Sequence, residues 1–512
     1  MPARLAKKGD NGGVRLGEPQ VSRYPSRFGL LMLGATLVLP LAPPTAEARS
    51  PAEAVAEFRR LLTKLPEPRA VCSAKVVDLS TDTVLVELNA DRKLVPASNQ
   101  KLWVLAAATV ELGEVFAFRT VLATRGGEVY VIGDGDPGFG DPRLTEARGD
   151  SVTGELERWA TLLAAKGFSD LAGHLSYDDT LFDRQWTHPS WESKHQPKWY
   201  AAPVSALNLN DNCVDVTIQP AEQPNVPVLW SMVPPNDAVE VVNRCLSAGK
   251  GTPVINRPGP QMQIVLSGQC SKRWEFPSVA VSDPVALFAG AFRQALGKQG
   301  ITTSDEVRTA RVRLPNTRLP DNLTVLAEYR TPLPGALARA GKHSQNLFAE
   351  ALLKRLGFEW SRRTGRAEPI GSWETGRAAV LDFAERAGLS LTEADYHDGS
   401  GLARDNRLSA AQAVELLAYM YHHPARDLFA KSLAAPGEDG SLKKRMKDMR
   451  GLIYAKTGYL SGVRTLSGYV VTPAGRWLAF SVLFNGIKGD TEPFNKLHDQ
   501  ICRLLADWPT GP

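Results

Sequence analysis

The chain is 512 residues long, 43% hydrophobic and 22% charged, and its 60 Lys and Arg against 55 Asp and Glu give a formal net charge of +5. That apolar content excludes an intrinsically disordered chain, and no Lys/Arg run interleaved with aromatics supports a nucleic-acid partner. With the leader described next set aside, about 460 residues remain, too many for one hydrophobic core, so two or more domains are expected.

Residues 1–48 read as a signal peptide. Lys7, Lys8, Arg15, Arg23 and Arg27 form a basic stretch, 28–42 is an apolar run, and Ala46-Glu47-Ala48 is an A-x-A cleavage signal with the cut placed before Arg49. The run is shorter than the roughly 20 residues of a spanning helix, and no cysteine stands at its end for lipid attachment. The expectation is export to the periplasm with no integral membrane span after cleavage. The leader holds six Lys/Arg and three Asp/Glu, so its removal leaves the mature chain near +2. Such a balance argues for neither a nucleic acid nor an anionic membrane.

After Pro96, the sequence predicts a helix over 98–110, which puts Ser98 and Lys101 at i and i+3 on one face. The stretch 120–277 alternates in strand fashion at 128–132, 174–177 and 214–218, with Gly, Pro and Asp clusters between, and reads as β with turns. Within it, Gly133-Asp134-Gly135-Asp136 lacks the endings of a phosphate or calcium loop and is expected to be a turn, as is Asp178-Asp179. Five cysteines, Cys72, Cys213, Cys245, Cys270 and Cys502, contain no C-x-x-C pair. Two pairings are expected in an oxidising compartment, Cys245 with Cys270 and Cys72 with Cys502.

A second helix, 285–296, is assigned with 98–112 to the catalytic segments. Ser344-Gln345-Asn346 stands just before a helical run at 347–356. His422-His423 ends a helix from Ser409 without a third ligand at motif spacing, so no metal is expected, and no cofactor either. Residues 452–460, containing Lys456-Thr457-Gly458, read as a strand. Strands at 465–471 and 477–484 follow, joined by a hairpin around Pro473-Ala474-Gly475, and a helix at 492–507 closes the chain. The 243 positions between Lys101 and Ser344 mark a large insertion. The expected fold class is α+β, an antiparallel sheet flanked by helices. Its catalytic domain is discontinuous, 49–119 plus 278–512, around an inserted β-rich region at 120–277 read as two subdomains.

These triplets suit acyl transfer. A serine hydroxyl attacks only when a neighbour takes its proton, and a lysine can do so only if desolvation or a second cation keeps it neutral. Ser98 and Lys101 are that pair, and Lys456 is the second cation. The backbone N–H groups of Ser98 and Tyr459 are candidate oxyanion donors. Lys456 and Thr457 would face a substrate carboxylate, and Gly458 would let an extended peptide lie against the strand edge. Ser344 could relay a proton to the leaving amine while Asn346 holds the scissile-side amide.

Together the triplets are the S-x-x-K, S-x-N and K-T-G set of penicillin-interacting serine enzymes. With Gly133–Pro137, Tyr177–Asp183, Ser205–Asn212, Asp398–Asn406 and Ala455–Gly458, the mature chain resembles the class C low-molecular-mass penicillin-binding proteins, which are D-alanyl-D-alanine carboxypeptidases and endopeptidases. The resemblance implies a penicillin-binding/β-lactamase-like transpeptidase domain and a serine DD-peptidase. It would act on peptidoglycan stem peptides or their D-amino-acid cross-links, with β-lactams as covalent inhibitors. It also places the loop carrying Asp398 and Arg404 beside the site, where they are assigned to substrate binding. Three positions depart from the family: Gln345 stands where Asp is usual, Ala403 replaces a Ser, and Tyr459 follows the glycine where a small residue is common. A β-lactamase-type hydrolase and a non-catalytic wall-binding protein are the alternatives.

Overall fold

The computed structural model describes residues 49–314, 318–392 and 395–509, so the signal-peptide reading of 1–48 lies outside the described residues. The chain opens with α1 (Pro51–Thr63), β1 (Val71–Asp78), β2 (Thr83–Leu88), a 3-10 turn (Ala97–Gln100) and α2 (Lys101–Glu111). Next come β3 (Ala117–Arg125), β4 (Glu128–Gly133), α3 (Pro142–Ala147), α4 (Gly154–Ala165), β5 (Leu175–Asp178) and β6 (Cys213–Gln219). Short strands follow: β7 (Leu229–Val233), β8 (Glu240–Asn243), β9 (Leu246–Ser247), β10 (Val254–Asn256), β11 (Gln263–Ser267), β12 (Gln269–Cys270), β13 (Trp274–Glu275) and β14 (Val279–Ala280). Then run α5 (Pro284–Lys298), β15 (Thr324–Pro332), α6 (Leu333–Gly341), α7 (Asn346–Arg363), α8 (Trp373–Arg386), α9 (Ala410–His422) and α10 (Arg426–Lys431). The last elements are β16 (Ile453–Leu460), β17 (Val463–Val471), β18 (Trp477–Asn485) and α11 (Glu492–Ala506).

The principal sheet has the order β16-β17-β18-β1-β2, antiparallel throughout. The last strands are apolar on both faces, and both are covered. Val77, Tyr469 and Ala479 pack with Leu105 of α2, Leu352 of α7, Val380 of α8 and Leu417 of α9. On the other side Ala74, Val76, Leu466 and Val482 meet Phe58 of α1 and Ile501 and Leu505 of α11. A capping box between Ser50 and Glu53 fixes the start of α1. This is the expected helix-covered antiparallel sheet, and β16 lies at its edge.

The strands of the intervening region form a second sheet, β15-β3-β4-β5, and smaller sheets built on β6 and β11. The helix expected with the catalytic segments at 285–296 belongs with this second sheet instead. Its Phe288 and Phe292, one turn apart, share a core with Leu122, Val131, Trp159 and Leu163. The amphipathic stripe is readable in the sequence, but its partner is a tertiary matter. The expected disulfides are also replaced by packing, for all five cysteines are free and buried. Cys72 and Cys502 sit in one apolar cluster and Cys245 and Cys270 in another, as small hydrophobes. Burial pushes the thiols of Cys72 and Cys502 up to about 12, and the Cys270 thiol donates to the Lys272 carbonyl at 2.7 Å.

Buried ion pairs join the intervening region to α6 and α7. Lys354 reaches Asp183 at 2.6 Å and lies 3.9 Å over the Trp373 ring. Arg355 meets Asp134 at 3.3 Å, and Arg339 meets Asp141 at 2.5 Å and Asp211 at 3.2 Å. Removing one partner of such a pair strands the other charge away from water. Arg339→Met is therefore expected to lower the unfolding free energy by about 3–5 kcal/mol, measured by urea denaturation. A loss within error of zero would show that the pair does not hold the two regions together.

Candidate active site

Pro96 and Ala97, the latter with φ +47°, turn the chain into the 3-10 segment. The expected helix at 98–110 thus begins as 3-10, and α2 proper starts at Lys101. At three residues per turn, positions i and i+3 eclipse, and Lys101 Nζ comes within 3.1 Å of Ser98 Oγ. Residues 102–108 are all buried, so α2 carries its first residue into the core. The ammonium group also donates to Asn346 Oδ1 and to the Ser400 carbonyl, each at 2.7 Å. Burial pushes Lys101 down to about 7, against the pull of Glu350 and Asp398.

Glu350 lies one turn beyond Asn346 on α7 and is fully buried. Its carboxylate accepts from Trp373 Nε1 at 2.9 Å, Gly399 N at 3.0 Å and Ser400 N at 2.8 Å. Burial, with the charge of Asp398 behind it, raises this carboxyl to about 7. Glu350 thereby holds the 399–400 backbone whose carbonyl receives Lys101, without sitting on the ammonium group itself.

Ser344 adopts φ +58° at the turn before α7. Its Oγ accepts from Lys456 Nζ at 2.9 Å, which also donates to the Thr457 carbonyl at 2.9 Å. Burial, then the charge of Lys101, pushes Lys456 well below the usual lysine range. The intervening region clamps this loop. Asn346 Nδ2 donates to the Tyr200 carbonyl at 2.6 Å, and Gln345 Nε2 donates to Asp211 Oδ2 at 2.6 Å. Gln345 Oε1 accepts from the Asn346 amide at 2.9 Å. Asn210, Asp211 and Asn212 all have left-handed φ, 51°, 55° and 53°, a conformation Asn and Asp tolerate. Burial, with Asp141 beside it, raises the Asp211 carboxyl well above the usual range.

Ala455 exchanges backbone bonds with Ala434, at 2.9 and 3.1 Å, on the side away from β17. By strand alternation Thr457 and Tyr459 present their N–H and C=O groups to the same edge. A Cβ at Gly458 would fall 2.0 Å from Thr465 Oγ1, 2.9 Å from the Pro96 carbonyl and 3.2 Å from Ser98 N. The missing side chain thus lets β16 press against the Ser98 turn, rather than opening that space to a peptide as the sequence suggests. It brings the outward edge at Tyr459 beside the Ser98 amide. Thr457 Oγ1 donates to Ser441 Oγ at 2.7 Å. The Tyr459 ring is 65% exposed, with the Arg464 guanidinium 3.7 Å over it.

Asp398, expected to bind substrate, cannot reach a ligand. It is fully buried, and its oxygens are taken by Gly401 N, Ala403 N, Asn406 Nδ2 and Trp191 Nε1 at 2.7–2.9 Å. It folds its own loop, which presses on the Ser98 turn at Gly401: there a Cβ would fall 1.8 Å from the Ala97 carbonyl. Arg404 lies at the rim, donating to the Ser461 carbonyl at 3.2 Å. Sequence reasoning missed Glu350, the Ser400 and Tyr200 carbonyls, Asp211 and Ser441. Glu350 left a signal as the lone acid in the otherwise apolar run 347–353, and Asp211 and Ser400 lie within the segments 205–212 and 398–406 that carry the resemblance.

A family model described as D-Ala-D-Ala carboxypeptidase 3 (S13) matches residues 54–507. The chain belongs to this family. A D-alanyl-D-alanine carboxypeptidase of Actinomadura sp. is 31% identical over 525 residues, 95% of this chain and 92% of its own length. D-alanyl-D-alanine carboxypeptidase DacB of Haemophilus influenzae is 25% identical, over 85% of this chain and 90% of its own. The crystal structure of penicillin binding protein 4 (dacB) from Haemophilus influenzae superposes with a TM-score of 0.71 at 21% identity, covering 88% of this chain and 99% of that one. The last likeness establishes the α+β penicillin-binding fold, and S13 membership makes the chain a serine peptidase of the D-Ala-D-Ala carboxypeptidase class. In this S13 enzyme, Glu350→Gln removes a charge that favours protonated Lys101. Because the Glu350 carboxyl is itself raised to about 7, it carries only part of its charge there. The acid limb of the acylation pH profile should therefore move down by a fraction of a unit, roughly 0.3–0.5, while an unmoved limb would disconnect Glu350 from Lys101.

Proposed function

We propose that the protein is an exported, periplasmic DD-peptidase whose nucleophile is Ser98 and whose base is Lys101. The observation that carries this reading is the fully buried Lys101 amine 3.1 Å from Ser98 Oγ. As Oγ bonds to the carbonyl carbon of the penultimate D-Ala, Lys101 takes its proton. The amides of Ser98 and Tyr459 receive the developing oxyanion. Lys456 and Thr457 hold the carboxylate of the leaving residue. The Lys456–Ser344 pair, 2.9 Å apart, delivers a proton to the leaving amine as the C–N bond breaks. Water then hydrolyses the acyl-Ser98 ester. The substrate lies along the free edge of β16 as an added strand. A β-lactam would acylate the same oxygen and keep its amine tethered in the cleft. Cleavage of the leader before Arg49 and a substrate-positioning role for the β-rich intervening region belong to this reading.

The β-lactamase alternative needs rapid deacylation, and the sequence carries no deacylating-glutamate motif. The two buried carboxylates near Lys101 are committed elsewhere, Glu350 to Trp373 and two backbone amides and Asp398 to its own loop, so neither is placed as a water-activating base. A wall-binding protein without activity would not need a buried lysine against a serine.

Ser98→Ala should abolish penicillin labelling and lower peptide turnover by roughly a million-fold. Labelling that persists at another residue would overturn the assignment. Lys101 is neutral only above its lowered value of about 7. The second-order acylation rate should therefore rise with pH up to about 7 and fall about tenfold per unit below it. A flat profile from about pH 5 to 8 would exclude Lys101 as the base.

A further inference from the structure

The cluster behind the Ser344–Asn346 loop holds more negative than positive charge. Asp141, fully buried at the start of α3, accepts from Leu144 N at 2.8 Å with one oxygen and from Arg339 Nε at 2.8 Å with the other. Asp211 Oδ2 accepts from Gln345 Nε2 at 2.6 Å and from Arg339 at 3.2 Å. Among the described residues, Arg339 is the only cation in ion-pair contact with either carboxylate. Two carboxylates on one buried guanidinium leave a negative charge unbalanced. Asp211 Oδ1, moreover, is buried and meets no donor among the described residues.

The neighbouring groups do not balance that charge. His343, just after α6, is pushed down to about 4 by burial and then by Arg339 and Arg143, so it is neutral. Asp439 is paired with Lys342 at 3.4 Å. From β6, the Cys213 thiol donates to the Asp211 carbonyl at 3.3 Å, and Asp215 is held by Asn210 and Ser278. Arg143 and Lys443 are exposed on the wall of a cavity of about 450 Å³ that reaches Asp211, Arg339 and Gln345 and admits protons from solvent. Where two carboxylates share a site, one of them keeps a proton. On Asp211 Oδ1 that proton removes the excess charge, with Asp141 close enough to hydrogen-bond it, and Oδ2 stays an acceptor for Gln345. The sequence agrees: an Asp at 345, usual in the family, would turn a third acid toward this pair, whereas Gln345 brings a donor.

We infer that Asp211 is a positioning residue that works as the neutral acid: the proton it shares with Asp141 keeps the Ser344–Asn346 loop seated against Lys456 and Lys101. The inference rests on the reading that Ser344 and Asn346 serve the Ser98–Lys101 chemistry. Arg339 closes the link, since its carbonyl accepts from Gln345 N at 3.0 Å and its guanidinium lies 5.1 Å from the Phe348 ring on α7. The loop in turn carries Ser344 Oγ to Lys456 at 2.9 Å and Asn346 Oδ1 to Lys101 at 2.7 Å. An ionised Asp211 would repel Asp141 and loosen this seat, so the contribution is present while Asp211 is protonated and is lost as rising pH ionises it.

The test compares the full chain with Asp211→Asn, Asp211→Ala and Gln345→Met. Asn keeps an acceptor for Gln345 and a donor for Asp141 without needing the proton, and Ala loses both. Met cuts the link from the loop's side and leaves the charges of the cluster intact. At about pH 7, penicillin acylation of Asp211→Asn should stay within about threefold of wild type, while Asp211→Ala and Gln345→Met should be acylated roughly ten- to a hundredfold more slowly. The infrared difference spectrum of wild type minus Asp211→Asn at about pH 8, far above the range of an ordinary Asp, should show the carbonyl band of a protonated carboxyl. Should Asp211→Ala fail to fold, Gln345→Met carries the comparison. An Asn variant that is unfolded or as slow as the Ala variant would overturn the inference. So would a difference spectrum without that band, or Ala and Met variants acylated like wild type. A wild type that takes no penicillin at Ser98 would instead overturn the Ser98–Lys101 reading.

Discussion

Lys101 Nζ has three acceptors, Ser98 Oγ, Asn346 Oδ1 and the Ser400 carbonyl, and none of them is charged. A buried ammonium group with only neutral dipoles around it has lost its hydration without gaining a counter-ion, so its proton is held loosely. The site depends on keeping it so. Glu350 and Asp398 are near enough to stabilise the charged form, yet each is committed elsewhere. Glu350 spends its oxygens on Trp373 and the 399–400 amides, and burial favours its neutral form. Lys101 in turn is one cause, after burial, of the depressed value of Lys456. Two buried lysines that hold their protons loosely serve a reaction in which a proton must be taken from one oxygen and given to a nitrogen.

The fold supplies this arrangement by converging three separated segments on one strand edge. The 3-10 turn at Ala97–Gln100 stacks Ser98 over Lys101, the absence of a side chain at Gly458 lets β16 press against that turn, and α7 begins at Asn346 with its first residue in the site. The intervening region is not remote from the chemistry. Tyr200 and Asp211 hold the Ser344–Asn346 loop directly, and Asp141, Asp183 and Asp134 neutralise buried cations on the helices behind it. A region that appears in sequence as an insertion of β-strands therefore forms part of the wall of the active site.

Much of this is legible in the sequence because catalysis constrains residue type and short spacing together. Ser98 with Lys101, Ser344 with Asn346 and the Lys456–Gly458 strand are local patterns, and the structure brings them within hydrogen-bond reach. The two strands read at 465–471 and 477–484, with the hairpin between them, mark the antiparallel core. What escapes is set by contacts far apart in sequence. Gln345 meets Asp211 across 134 positions, and nothing near either residue announces it. The helix at 285–296 shows its apolar stripe but not the sheet that covers it. Asp398 reads as a ligand-binding residue because its loop adjoins the site, whereas its burial consumes both oxygens. The cysteines pair plausibly on paper, but packing decides them as isolated thiols.

The most direct measurement is a titration of Lys101 itself, by carbon NMR of the full-length protein labelled at lysine Cε, with Lys101→Met to assign the resonance. The account predicts a midpoint near 7, against about 10.4 for an ordinary lysine. A resonance that stays protonated to about pH 10, the range of an exposed lysine, would contradict a neutral Lys101 and with it the proposed base.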